Sequence, residues 1–183
     1  MGMTRRQFAA SGGLALASVC AMGLAGCGGK DVAEASLVGT GDELAASVES
    51  AVKSGFRLPG DSTAYEAPKG ASVDVSENHT NDTDYWVVVT VDLADEDNAK
   101  LALSDGVKLA TALSMAIAEN PSVEKLVYNC RADGTQCYQV VFTRPSWPQY
   151  VGTIKSCLEQ ASSYSMEGWF YKLVASDGIA QSK

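Results

Sequence analysis

Residues 85–93, YWVVVTVDL, form a run of β-branched and aromatic side chains that passes directly into a helical pattern, and this succession constrains the fold more than any other feature of the chain. The next stretch, DEDNAKLALSDGVKLATALSMAIAENP, opens on acidic residues suited to a helix N-terminus and closes on Asn120-Pro121. VEKLVYNC and CYQVVFTR then read as strands on either side of RADGTQ. A second helix is expected over SWPQYVGTIKSCLEQASSY, with Ser146 as N-cap, Gln149 three residues later, Pro148 in the first turn and an apolar stripe of Val151, Ile154, Leu158 and Ala161. GWFYKLVAS would supply a fourth strand.

The order β-α-β-β-α-β predicts an α+β, ferredoxin-like (split βαβ) antiparallel sheet with two helices on one face. Right-handed crossovers would put the first and third strands in the middle. Lys125 and Lys172 would then lie in edge strands, where charge discourages pairing between molecules. Upstream, TGDELAASVESAVKSG carries a capping-box spacing at Thr40 and Glu43, a stripe of Leu44, Val48 and Val52, and Gly55 as a stop, so an extra amphipathic helix is expected over Glu43–Ser54. Between it and Tyr85 lies a long polar, Gly- and Pro-bearing stretch in which only SVDVS alternates as a strand would.

The N-terminus has a different character. Arg5 and Arg6 precede a weakly apolar run from Phe8 to Gly26, rich in Ala and Gly, that ends at Cys27. TRRQF (Thr4 to Phe8) resembles the twin-arginine export signal, although Ala9 and Ala10 stand where Leu and Lys are usual, and LAGC (Leu24 to Cys27) resembles the bacterial lipobox at all four positions. The resemblance to lipoprotein precursors implies a diacylglyceryl group on the Cys27 thiol before cleavage, and two acyl chains hold a protein stably where one would not. The expected organisation is a signal peptide over 1–26, a tether over 27–39 and a single domain over 40–183 with its core in 85–175. The expected location is extracytoplasmic, at a cell membrane, through the lipid on Cys27.

Removal of 26 residues leaves 183 − 26 = 157 residues, one domain's worth of chain. The leader holds two of the 14 basic residues and none of the 22 acidic ones, so the mature charge is 12 − 22 = −10. Such a balance offers phosphates no basic stripe, and nucleic acid is not an expected partner. His79 is the only histidine, which precludes a two-histidine metal site, and neither a cofactor motif nor a catalytic constellation is legible. The expectation is a non-enzymatic interaction module facing an envelope protein. The alternative is a lipoprotein that binds a small or polymeric ligand, with Trp86, Trp169 and Tyr171 as stacking surfaces.

After the leader and Cys27, three cysteines remain. If Asp133-Gly134 forms a two-residue hairpin turn, Cys130 and Cys137 lie directly opposite each other, close enough for a disulfide. That register, however, puts Leu126 and Tyr128 on the face opposite Tyr138, Val140 and Phe142, and a bulge or one-residue slip would reunite the two apolar sets. The pattern alone leaves both open. Cys157 falls on the apolar side of its helix, as a small buried hydrophobe would.

With Val87, Val89 and Val91 toward the core, Trp86, Val88 and Thr90 point the other way, joined by Val141 and, on the turn-defined register, by Leu126 and Tyr128. Trp86, Val88, Tyr128 and Val141 are thus the candidate binding face. An apolar face of that size calls for a cover. Either the helix at Glu43–Ser54 lies across it, which is the expectation, or a partner does.

Overall fold

The computed structural model describes Leu37 and residues 39–81, 84–175 and 178–183. The expected signal peptide, the lipobox-like LAGC with Cys27 and most of the expected tether lie outside the described residues. The chain divides into two units, Met1–Lys30 and Asp31–Lys183, and the second holds everything below.

In chain order the elements are α1 (Gly41–Ser54), β1 (Ser72–Asn81), β2 (Asp84–Leu93), α2 (Glu96–Leu101), α3 (Leu103–Ile117), β3 (Val123–Ala132), β4 (Thr135–Thr143), α4 (Ile154–Gln160), β5 (Ser163–Met166) and α5 (Gly168–Val174). The fold is α+β, as expected, around a five-stranded mixed sheet in the order β1-β2-β3-β4-β5. β2 and β3 are parallel and the other pairs antiparallel.

This order differs from the ferredoxin-like one. That arrangement inserts the third strand of the motif between the first two, whereas here the α2–α3 crossover joins neighbouring strands, and β3 lies at the centre of the sheet. Lys125 is therefore interior in the sheet. The expected fourth strand is α5, and Lys172 lies in the last turn of that helix. Phe170 and Val174, four residues apart, are its buried side chains, so helical spacing onto the core overrides the strand propensity of an aromatic run.

The strand beside β4 is instead β5, from the end of the stretch expected to be helical. α4 is correspondingly shorter than expected: Thr153, not Ser146, is the cap, its side chain accepting a bond from the Ser156 amide. The helix over 95–121 is broken in two at Ala102, and Asp95 caps the first piece by accepting from the Asn98 amide at 2.8 Å. SVDVS does form a strand, which extends to Asn81 as β1 and takes in His79, expected in a loop.

α1 begins two residues earlier than expected, and Thr40 makes no side-chain capping bond. Its Leu44, Val48 and Val52 are fully buried in the same core as Val87, Val89 and Val91. The polar stretch after it is anchored by Phe56, Leu58 and Tyr65, all buried. The core therefore runs from Leu37 to Ile179, beyond the expected 85–175. Even the end of the supposed tether is engaged: the Asn120 side-chain amide donates to Gly39 O at 2.8 Å and to Leu37 O at 3.3 Å.

Candidate functional site

The tip of the β3–β4 hairpin fixes what each sheet face displays. Asp133 and Gly134 have φ of 48° and 74°, the left-handed pair that a tight two-residue hairpin turn needs. Next to the turn, Ala132 pairs with Thr135 and Arg131 with Gln136, the register the turn dictates. The pairing then shifts by one, and Cys130 faces Tyr138 rather than Cys137. Cys137 is the extra residue of a β-bulge. Beyond it Tyr128 faces Val140 and Leu126 faces Phe142, so the apolar residues of both strands share the core face. Turn register and apolar register both hold, on opposite sides of the bulge.

One correction follows at once. Leu126 and Tyr128 belong to the core, at 0% and 1% exposure, and leave the candidate binding face. Burial pushes the Tyr128 hydroxyl well above its ordinary titration range. Cys130 and Cys137 are free, buried thiols that do not face each other directly, the Cys130 thiol donating to Arg131 O at 3.9 Å and the Cys137 thiol to Thr135 O at 3.7 Å. Cys157 is buried as expected, its sulfur accepting from the Gly152 amide at 3.4 Å.

The other face of the sheet follows from the same pairings as four cross-strand rows. Asn78, Trp86, Lys125 and Thr143 make the first; Ser76, Val88, Val127, Val141 and Ser163 the second; Asp74, Thr90, Asn129, Gln139 and Ser165 the third; Ser72, Asp92, Arg131 and Gln136 the fourth. The second row is an apolar stripe flanked by polar ones. Lys125 Nζ stands 4.1 Å from the centre of the Trp86 ring, a cation–π contact. In the third row Gln139 donates to Asn129 Oδ1 at 2.8 Å.

α1 does not cover this face. It packs against β1, yet Ser72, Asp74, Ser76 and Asn78, the residues β1 contributes to the face, are all exposed. Trp86, Val88, Thr90 and Val127 keep partial exposure, while Val141 is buried between its neighbours. Of the residues expected on the face, Trp86, Val88, Thr90 and Val141 are on it. Val127 and Lys125 join them, and the register through the bulge, which sequence reading left undecided, is what assigns Val127. Trp169 and Tyr171 are elsewhere, on α5 and partly packed against the core.

At the other edge, the end of the chain screens β5. The Met166 amide donates to Gln181 O and the Lys183 amide to Tyr164 O. A concavity of about 380 Å³ between α4, β5 and this segment is lined by Lys155, Leu158, Tyr164 and Ile179 among others. Lys183 Nζ is already engaged there, donating to the carbonyls of Glu159 and Ala161. No family model matches the chain, and no curated protein or solved structure matches it.

Proposed function

We propose that this protein is a membrane-anchored, extracytoplasmic lipoprotein, held through a lipid on Cys27, whose domain acts as a non-enzymatic interaction module in the cell envelope. The observation that carries the interaction reading is the open sheet face. One stripe of Val88, Val127 and Val141, with Trp86 beside it, lies on a rigid sheet and is left uncovered by α1. Rigid sheets hold such side chains in place at little entropic cost on binding, and aromatic anchors supply much of the energy in protein interfaces. The anchor reading rests on the lipobox resemblance at Leu24–Cys27 and on the twin-arginine resemblance at Thr4–Phe8.

In-cell photo-crosslinking tests the docking surface. A photoreactive residue at Thr90, on the face, is expected to give a discrete adduct with an envelope protein that one at exposed Leu101 on α2 does not give. Trp86→Ala should abolish that adduct. An adduct of equal yield from both positions, or one indifferent to Trp86, contradicts the reading.

A further inference from the structure

The bulge in β4 brings together two thiols that the interaction reading leaves unused. Across the bulge Cys137 and Tyr138 share Cys130 as their opposite residue, and the side chains of both cysteines are buried in the core. The two residues of a bulge share one opposite residue, so Cys137 flanks Cys130 across the strand pair, within the reach of a disulfide. Among the described residues Cys157 has no such partner, and its sulfur accepts from the Gly152 amide.

We propose that Cys130 and Cys137 are an oxidation site, a dithiol that closes into an intramolecular disulfide by exchange with an external disulfide oxidant, protein-borne or of low molecular weight. The neighbouring Cys137 holds the Cys130 thiol below its ordinary range, and the neighbouring Cys130 together with burial raises that of Cys137, which favours Cys130 as the attacking sulfur. The Cys130 thiolate attacks one sulfur of the oxidant, whose S–S bond breaks and releases a thiolate that takes up a proton. Cys137 then loses its proton and attacks Cys130 Sγ, expelling the second thiolate. Two cysteine thiols give up two protons and two electrons, and the oxidant's disulfide becomes two thiols.

Both cysteines are buried. In the folded protein the exchange therefore passes through molecules in which the hairpin tip opens, and its rate follows that opening.

The test is peptide mapping of the purified chain after equilibration in glutathione buffers of rising oxidised fraction, acid-quenched and alkylated. A peptide linking Cys130 to Cys137 should appear, with Cys157 alkylated only after unfolding, and oxidation should raise Tm by several degrees, as closing a short loop does. Cys137→Ser should abolish the link and leave at most a glutathione adduct on Cys130. Refolding in the same buffers removes the barrier of access, so the result does not depend on the tip opening. Free Cys130 and Cys137 under both regimes, or a link involving Cys157, would overturn the assignment.

Discussion

A Cβ on Gly106 would lie 2.2 Å from the Tyr138 hydroxyl, so α3 approaches the sheet at a point where only glycine fits. Tyr138 cannot retreat, because its ring packs against Tyr128 at 6.2 Å and Phe170 at 5.7 Å between centroids. Its hydroxyl is buried without a hydrogen-bond partner of good geometry, and burial pushes its titration well above the ordinary range. Gly106→Ala should therefore destabilise the domain by about 1–3 kcal/mol, despite the better helix propensity of alanine. Tyr138→Phe removes the atom that clashes, and the double variant should recover most of the loss in urea unfolding. Additive losses would mean that the close approach is not the reason for the glycine.

Asn120 joins the chain before α1 to the turn after α3. Its amide nitrogen reaches Leu37 and Gly39, its Oδ1 accepts from the Ser122 amide at 3.1 Å, and Arg144 donates to its carbonyl at 2.8 Å. Asn120→Ala should cost about 1–3 kcal/mol through the buried Leu37 carbonyl and the part-buried Gly39 carbonyl that lose this donor. Limited proteolysis should then cut near residues 37–40 faster than in the parent.

Asp61 accepts bonds from the Thr63 amide and the Tyr65 hydroxyl, both at 2.8 Å. These hold its carboxyl below the usual 3.8, the Thr63 amide contributing most. A carboxyl depressed in the folded state stabilises above its unfolded pKa and loses that contribution as pH falls through the folded value. The expected window is therefore below about pH 4. Asp61→Asn should flatten the fall in Tm there and leave the profile at neutral pH parallel to that of the parent. An unchanged acid limb would show that these bonds do not persist in solution.

Lys125 over Trp86 is partly exposed, so Lys125→Ala should cost no more than about 1 kcal/mol. Val89→Ala, from the fully buried side of the neighbouring strand β2, should cost about 2 kcal/mol or more. Chemical denaturation of the two variants side by side should separate the faces by energy.

The strands β2, β3 and β4 were legible because β-branched residues recur where a buried strand needs them, and Asp133-Gly134 announced its turn. α5 was not. Trp169, Phe170 and Tyr171 favour strands locally, and only the packing of Phe170 and Val174 onto the core makes the segment helical. The second half of β1, ENHTN, carries no apolar alternation because it is an edge strand, and its pairing with β2 supplies what pattern does not. Most of the candidate face was readable, since Trp86, Val88, Thr90 and Val141 follow from strand alternation. Tyr128 was misassigned, and Val127 missed, because one bulged residue, Cys137, inverts the faces of everything beyond it, and a bulge leaves no unique mark in sequence.

The account turns on the helices leaving one sheet face free, and Val88 and Val89, neighbours on opposite faces of β2, test it directly. Val88→Cys should react with a soluble maleimide in the folded protein, whereas Val89→Cys should react only after unfolding, against a background of Cys130, Cys137 and Cys157, all buried. Protection of Val88→Cys equal to that of Val89→Cys would mean that another part of the chain covers the Trp86 face, and would contradict its role as a docking surface.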